Sequence, residues 1–392
     1  MTTAASATPA SGSTVFDDTH DLFRQSFRSF VAAEMTPHVD QWERDGIMDR
    51  EVYTSAGEHG FVGIAIPEAH GGGGSNDFRF NAIIADELAA ANIGGGGLGL
   101  TLHNDITTPY FIEYCNPDQA KRWLPGIASG ELITAIAMTE PGTGSDLASV
   151  ATSAVRDGDE YILNGAKTFI TNGINSDLVI VVCKTDTDGG HGGMSLLVVE
   201  RDMPGFERGR NLDKVGQHSA DTAELFFSDV RVPVANLLGE EGRAFDYLSF
   251  NLAQERLSIG LYGLYVAQAA IGWTIDYVKE RTAFGQPLAK FQNTKFELAQ
   301  MATEVAVTEP FMNQSLLKLN DNTLTPGDAA MAKLWGTQLQ NRVTDQCLQL
   351  FGGYGYMSEY PISRAWVDAR VCTIYGGTSE IMKTIISKEV LA

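Results

Sequence analysis

Basic residues are scarce in this sequence of 392 residues. Only 28 lysines and arginines stand against 49 aspartates and glutamates, which gives a formal net charge of −21. A surface so acidic repels phosphate backbones, so nucleic acid is not expected as a partner, and docking on anionic membranes is disfavoured for the same reason. No run of 18 apolar residues is present, so we predict no membrane-spanning helix.

Cysteine is also scarce, and the four cysteines are widely separated. Since they form no CxxC pair or Cys/His cluster, we predict neither a metal site nor a disulfide framework, and expect a reducing interior. Residues 1–14 are rich in Ala, Ser and Thr and contain no Lys or Arg, unlike signal or transit peptides. We interpret residues 1–16 as the disordered leader of a cytoplasmic protein.

Two glycine pairs do not continue into a nucleotide-binding fingerprint. In the pattern GxGxxG, the glycine required after Gly142 and Gly144 is replaced by Leu147. Ser358 takes that place after the other pair, at 353 and 355, and no GxxxxGK[ST] or GxSxG motif occurs. The sequence therefore supports no Rossmann or P-loop site and no serine hydrolase of the nucleophile-elbow type.

The apolar pattern changes twice along the chain. Residues 17–130 show helical spacing, interrupted by glycine-rich stretches at 60–75 and 92–97 that we interpret as loops. Residues 131–242 contain short β-branched segments with no helix between them, which indicates an antiparallel barrel or sandwich. Residues 243–392 return to long amphipathic helices. We predict an α+β multidomain fold: an N-terminal helical domain, a central antiparallel β domain and a C-terminal four-helix bundle.

The segment AMTEPGTGSDLAS (137–149) leaves a predicted strand and turns through two glycines. Such a turn exposes several backbone N–H groups, which suits a phosphate or the polar edge of a heterocycle. From the residues alone, an ordinary strand-end turn is the favoured alternative.

This segment and three others resemble the acyl-CoA dehydrogenase family, and the likeness is closest to the long-chain type. The others are ERTAFGQPLAKFQ (280–292), QLFGGYGYMSEYPISRAWVDAR (349–370) and IYGGTSEIMK (374–383). The resemblance spans residues 21–388. It implies FAD held between the β domain and the bundle, with the site completed by a neighbouring subunit, and a homo-oligomer, expected to be a tetramer built as a dimer of dimers.

The implied reaction is the α,β-dehydrogenation of an acyl-CoA to the trans-2-enoyl-CoA. The expected electron acceptor is an electron-transfer flavoprotein. Carried over by the resemblance, the cofactor-binding residues would be Met138, Thr139, Gly144, Ser145, Phe169, Ile170, Thr171, Arg281, Thr282, Phe284, Gln292, Gln349, Gly352, Gly353, Thr378 and Glu380. The substrate-binding residues would be Ser145, Arg256, Gly376, Gly377 and Lys388. Phe169 replaces the Trp of many relatives, and Glu380 the Gln of some.

The catalytic base is the main departure from the family pattern. Many relatives carry a carboxylate in YEGT, where this chain has YGGT with Gly376. In the long-chain and isovaleryl branches the Glu comes from a stretch reading ERL, which matches Glu255 here. Its predicted helix places apolar residues on the same face, namely Leu248, Leu252, Ile259 and Tyr262. A Glu on such a stripe is costly unless paired or used, and from the residues alone a salt bridge is favoured.

With the resemblance, we predict that Glu255 takes the α-proton, its pKa raised by burial. The N–H of Gly376 and a flavin ribityl hydroxyl would polarise the thioester oxygen. Arg256 would orient the site or pair with a buried acid, two readings we weight equally. With the base on another helix, the single hydrogen at Gly376 should leave room beside the α-carbon. The resemblance also places Gly94–Gly97 and Gly99 near the base of the acyl pocket, where small residues suggest a wide cavity, hence medium-to-long or branched chains. Two alternatives stay open: an acyl-CoA oxidase-like flavoenzyme, and a non-catalytic member lacking the base at 376.

Overall fold

The computed structural model describes residues 15–391, so most of the predicted leader lies outside the described residues. Val15, which the predicted leader includes, is buried, and its carbonyl accepts a hydrogen bond from Arg79 (2.7 Å). The described chain divides into two compact units. We call residues 15–36, 78–94 and 253–391 the bundle unit, and residues 37–77 and 95–252 the sheet unit.

The regular elements follow one another in three blocks. The α-helices of residues 15–391 are α1 (Asp18–Phe30), α2 (Val39–Asp45), α3 (Glu51–Glu58), α4 (Arg79–Ala90), α5 (Gly94–Thr101), α6 (Thr108–Tyr114), α7 (Pro117–Ala128), α8 (Ala244–Glu280), α9 (Gln292–Asn320), α10 (Pro326–Phe351), α11 (Pro361–Ala369) and α12 (Ser379–Val390). The strands are β1 (Thr134–Ala137), β2 (Ser153–Asp157), β3 (Glu160–Thr171), β4 (Leu178–Lys184), β5 (Met194–Glu200), β6 (Phe206–Asn211), β7 (Thr222–Pro233), β8 (Leu237–Leu238), β9 (Thr282–Ala283) and β10 (Gln286–Pro287).

The sheet unit is built on an eight-stranded sheet in the order β6-β7-β3-β2-β4-β5-β8, with β1 paired to β4. Most neighbours are antiparallel, as predicted, but β1 runs parallel to β4. Strand β4 is buried on both faces because its alternate side chains enter two different cores. Ile180 and Val182 pack in a core that also holds Trp123 of α7, whereas Val179 and Val181 pack in a core of strand residues.

The bundle unit buries its apolar faces in one core shared by α4, α8, α9, α10 and α11. Helices α8 and α10 approach at backbone distance. A Cβ at Gly260 would lie 2.6 Å from the carbonyl oxygen of Ala332, and one at Gly263 would lie 2.6 Å from that of Gly336. The two glycines of α8 therefore allow the backbone of α10 to approach closely.

The glycine run after residue 92 forms a helix, α5, and not the predicted loop. A Cβ at Gly95 would lie 2.4 Å from Ser219 Oγ, and one at Gly99 would lie 2.5 Å from the Tyr53 hydroxyl. Close packing at Gly95 and Gly99 thus overrides the low helix propensity of glycine, and these two positions lend no support to a wide acyl cavity. Residues 94–99 also spell GxGxxG, but they follow a helix and not the strand that a Rossmann turn requires.

Candidate active site

The first predicted cofactor segment is a turn that follows β1 in the sheet unit. Two backbone hydrogen bonds close it, from Glu140 N to Thr143 O (2.9 Å) and from Thr143 N to Glu140 O (3.1 Å). Gly142, Gly144 and Ser145 are exposed, and a Cβ at either glycine would meet nothing within 4 Å. Accessible N–H groups beside open space suit a phosphate or the polar edge of a heterocycle.

A buried ion pair anchors this turn. Lys167 Nζ donates to the carboxylate of Glu140 (2.9 Å) and to the carbonyl of Met138 (3.0 Å). The same carboxylate accepts from the amides of Ala151 (2.7 Å) and Thr152 (2.9 Å). Burial acts to raise the pKa of Glu140, but the hydrogen bonds from Lys167, Thr152 and Ala151 outweigh it and hold that pKa below its ordinary value. One buried ammonium group therefore holds the turn at both Met138 and Glu140.

The second predicted cofactor segment, Phe169–Thr171, lies beside the first. The amide of Thr168 donates to the carbonyl of Thr139 (2.9 Å), so the structure brings the two segments together. The register of β3 against β7 shifts here, and Phe169 takes a φ of +61° with 68% of its surface exposed. An exposed aromatic residue in the left-handed region is strained, which favours a functional position. Ile170 is buried in the strand core, so its side chain is used in packing.

Glu255 and Arg256 lie in the part of α8 that belongs to the bundle unit. Both are buried, with 4% and 8% of their surface exposed. On the face predicted for Glu255, Ile259 is buried and Tyr262 packs against the bundle core. Burying a carboxylate is costly unless other groups compensate its charge. Buried ionisable residues of this kind concentrate at functional sites.

The turn before α12 contains two glycines with left-handed backbones, φ +62° at Gly376 and +96° at Gly377. A Cβ at Gly376 would lie 2.4 Å from Ile259 Cδ1. Ile259 therefore occupies the space that we expected Gly376 to leave empty. Since Ile259 follows Glu255 by four residues, their side chains share one face of α8 at about 6 Å spacing. Glu255 thus lies one helical turn from the residue that contacts position 376.

Lys333 of α10 was missed by the reasoning from sequence, because lysines are almost always exposed. Its side chain has no exposed surface, and Nζ donates to the carbonyl of Gly377 at 2.6 Å. Burial, together with the charge of Arg256, lowers the pKa of Lys333 to about 8, while Cys372 and Glu380 act in the opposite direction. In the sequence, the one indication that Lys333 is buried is its place among small and apolar residues.

Thr378 and Glu380 begin α12. The hydroxyl of Thr378 accepts from the amide of Ile381 (3.4 Å), and Glu380 has a lowered pKa because its own amide and Thr378 hydrogen-bond to it. Both line a cavity of about 520 Å³ in the bundle unit. Its other lining residues are Gln338, Asn341, Arg342, Arg370, Thr373, Ile374 and Ser379. The two guanidinium groups, which the sequence reasoning missed, suit an anionic part of a ligand.

The residues predicted to meet the cofactor of another subunit are all exposed: Arg281, Thr282, Phe284, Gln292, Gln349, Gly352 and Gly353. The β9–β10 hairpin presents Phe284 with 96% of its surface exposed. The Arg281 guanidinium lies 5.2 Å from the ring centre of Tyr354, so the hairpin and the 352–356 turn meet. A large exposed aromatic beside a cation and a second aromatic ring is typical of a surface that another molecule covers.

Within the bundle unit, the structure separates the predicted substrate residue Lys388 from Gly376 and Gly377. It is exposed in the last turn of α12, nine residues beyond Ser379, which is about 13 Å along the helix. Its neighbour Glu389 accepts from the hydroxyl of Thr325, just before α10 begins, at 3.2 Å. Lys388 therefore lies at the end of α12 away from Gly376 and Gly377, and nothing in its position favours a substrate contact.

Comparison with known families decides the identity of the fold. Family profiles described as the N-terminal, middle and C-terminal domains of acyl-CoA dehydrogenase match residues 17–131, 135–230 and 242–391. The chain belongs to the acyl-CoA dehydrogenase family. It is an oxidoreductase, and the predicted fold class is confirmed.

Known relatives cover nearly all of the chain. It is 47% identical, over 96% of its length and 87% of the relative, to the mitochondrial long-chain specific acyl-CoA dehydrogenase of Sus scrofa. The crystal structure of an acyl-CoA dehydrogenase from Geobacillus kaustophilus is 48% identical, with a TM-score of 0.93, over 96% of this chain and 98% of that one. A glutaryl-CoA dehydrogenase from Mycobacterium smegmatis in complex with FADH2 is 27% identical, with a TM-score of 0.89, over 96% and 95% of the two chains.

Members of the family are FAD flavoproteins, and the residues of this acyl-CoA dehydrogenase fit that cofactor. In the sheet unit, Phe169 offers an exposed ring to a flavin, and the open Gly142–Ser145 turn offers N–H groups to a diphosphate. Residues 15–391 contain no group of three or more His, Cys, Asp or Glu that could hold a metal ion. Within the same residues, no helix is both long and apolar enough to cross a bilayer.

Proposed function

We propose that this protein dehydrogenates acyl-CoA thioesters with Glu255 as the catalytic base. The observation that carries the proposal is the contact geometry of Ile259, whose Cδ1 fills the side-chain position of Gly376 one helical turn from Glu255. A carboxylate on α8 can therefore reach the region that a carboxylate at 376 serves in many relatives. The burial of Glu255 supports the same role, because a base shielded from water is a stronger one.

The reaction needs two groups of the chain besides the cofactor. The α-proton of the thioester passes to the carboxylate of Glu255, while the N–H of Gly376 donates to the thioester oxygen as it gains enolate character. The β-hydrogen leaves with its electron pair, and a trans double bond forms between the α- and β-carbons. When bound, FAD supplies the acceptor for that hydride. Arg256, buried beside the base, orients the thioester or balances the charge around it.

We infer that medium-to-long or branched acyl chains are the preferred substrates. The support is the 47% identity to the Sus scrofa protein, whose name specifies long chains; the glycines of α5 no longer contribute. An electron-transfer flavoprotein is the proposed acceptor of the electrons. A homotetramer is the proposed assembly, supported by the exposed Phe284 and its aromatic surroundings. The cytoplasmic location remains a prediction.

The test is Glu255→Gln in the FAD-loaded enzyme, assayed anaerobically by flavin bleaching with butyryl-, octanoyl-, palmitoyl- and isovaleryl-CoA. We expect unchanged FAD content and bleaching slowed at least 10²-fold, the range in which a general base contributes. Glu297→Gln, a partly buried glutamate of α9, is the matched control and should bleach at the wild-type rate.

Each other outcome contradicts a named part of the proposal. Retained bleaching in Glu255→Gln would show that the base is another group. Fastest turnover with butyryl-CoA would refute the chain-length inference. A flavin-loaded wild type that bleached with none of the four thioesters would support the non-catalytic alternative, and rapid reoxidation by oxygen would support the oxidase-like one.

A further inference from the structure

Lys333 is a buried lysine whose hydrogen-bond acceptor is a backbone carbonyl. It lies on α10 immediately after Ala332, whose carbonyl contacts α8 at Gly260, so it stands at the crossing of these two helices. Its Nζ reaches the carbonyl of Gly377 at 2.6 Å. Burying an ammonium group is unfavourable even with a partner, and an apolar residue would fill the same space at lower cost. A role in stability alone therefore does not explain this lysine.

The carbonyl that Lys333 binds belongs to a pair of glycines that contribute no side-chain packing of their own. Gly376 and Gly377 have no side chains to pack, and both occupy the left-handed region, φ +62° and +96°. Such glycines have wide conformational freedom. What surrounds them is Ile259 of α8 at Gly376 and Met382 of α12 at Gly377, both through flexible side-chain ends. The hydrogen bond from Lys333 is the directional contact among these three.

The charges around Lys333 come from several elements. Arg256 of α8 disfavours the ammonium form, whereas Glu380 of α12 and Cys372, which follows α11, favour it. Burial and Arg256 prevail, and the pKa falls to about 8. Near neutral pH the group is still largely charged, so its bond to the Gly377 carbonyl is charge-assisted and stronger than a neutral one.

We propose that Lys333 is a positioning residue for the dehydrogenation: by holding the Gly377 carbonyl, it restrains the two-glycine turn and so keeps the Gly376 amide where that N–H donates to the thioester oxygen. The inference rests on the proposed function, in which Gly376 supplies that donor. Lys333 does not touch the substrate in this scheme. It acts on the peptide that joins Gly377 to Thr378, two peptide units after the one that carries the Gly376 N–H. Preorganised donors depend on such supporting contacts to keep them from reorienting during a reaction.

The experiment compares wild type, Lys333→Met, Lys333→Gln and Thr344→Val as FAD-loaded enzymes. Thr344 is the matched control, a buried polar residue further along α10 whose hydroxyl bonds within the helix. The first readout is the bleaching rate constant at saturating octanoyl-CoA, with the Kd for octenoyl-CoA measured beside it. We expect Lys333→Met to bleach roughly 10- to 100-fold more slowly, as when an oxyanion donor is weakened, with Kd changed less than about threefold. Thr344→Val should match wild type.

The second readout needs no turnover. Bound 3-oxooctanoyl-CoA ionises to an enolate, which is followed by its ultraviolet absorbance as pH rises. Loss of an aligned donor should raise the pKa of that bound ligand by about one unit, a tenfold loss of enolate stabilisation. Lys333→Gln, which keeps a shorter neutral donor, should fall between Lys333→Met and wild type. If Lys333→Met folds poorly, Lys333→Gln carries both readouts.

The outcomes separate this inference from the proposed function. An unchanged enolate pKa in Lys333→Met and Lys333→Gln would overturn the inference, as would a slow rate matched by an equal loss in Thr344→Val or by loss of FAD. A wild type that fails to bleach would instead overturn the proposed function, while the enolate titration still tests Lys333.

Discussion

Replacing Lys167 by Met should destabilise the sheet unit far more than replacing an exposed partner in an ion pair. Lys167 is fully buried, and its change to Met leaves the Glu140 carboxylate buried with only the amides of Ala151 and Thr152 as partners. Breaking a buried pair from one side costs about 3–5 kcal/mol. For a unit of this size that corresponds to a fall in Tm of roughly 6–20 °C.

Arg231→Met is the matched control for Lys167→Met. Arg231 stands on β7, next to β3 in the same sheet, and pairs with Glu160 (2.9 Å) and Asp157 (3.3 Å), but all three side chains are well exposed. Exposed pairs contribute less than about 1 kcal/mol, so the control should lose only a few degrees. Thermal unfolding followed by circular dichroism measures both variants, and retention of FAD is recorded on the same samples.

FAD retention tests whether the ion pair acts on the cofactor turn. Since Lys167 holds the carbonyl of Met138 as well as Glu140, Lys167→Met should release FAD at temperatures below its own unfolding midpoint. The double variant Lys167→Met/Glu140→Gln removes the stranded charge and should recover part of the stability. A Tm loss in Lys167→Met no larger than in Arg231→Met would refute the reasoning.

The remaining predictions concern packing and pH. Gly99→Ala should lower the urea midpoint of unfolding by the equivalent of about 1–3 kcal/mol, because its Cβ would lie 2.5 Å from the Tyr53 hydroxyl; an unchanged midpoint would contradict the close packing of α5. Gly376→Glu should not restore a base to a Glu255→Gln enzyme, because it meets Ile259 at 2.4 Å and a left-handed backbone; recovered flavin bleaching would count against this. Because the Glu140 pKa is lowered from 4.5 on folding, its stabilising contribution is present above that pH and is lost as pH falls below it; the Tm of Glu140→Gln should therefore fall less than that of wild type between pH 6 and pH 4.

The sequence predicted those elements whose side chains follow a regular apolar pattern. Strands β5 and β7 coincide with β-branched and apolar runs of the kind predicted for residues 131–242. Strands β2 and β6 contain no such run, because most of their residues are at least partly exposed and show no apolar alternation. Helix α5 was missed because tertiary packing reverses the local preference of glycine.

The residues of the candidate site also fall into a group that the sequence predicts and a group that it does not. The turn beside β1 and the strained Phe169 could be found from motifs, since their chemistry depends on a short stretch of chain. The two buried lysines, Lys167 and Lys333, could not, because a lysine is buried only through partners distant in sequence. Those partners are a carboxylate and backbone carbonyls, and no local sequence pattern predicts them.

The crossing of α8 and α10 limits how this enzyme can be redesigned. Because backbone meets backbone at Gly260 and Gly263, these two positions offer no side chain to repack, and one helix cannot slide along the other without a clash. The backbone positions of Glu255 on α8 and Lys333 on α10 are thus fixed relative to each other. Space for a different acyl group therefore has to come from rotating or replacing side chains, because the backbones of α8 and α10 cannot move apart or slide at their crossing. Ile259 is the first side chain to replace.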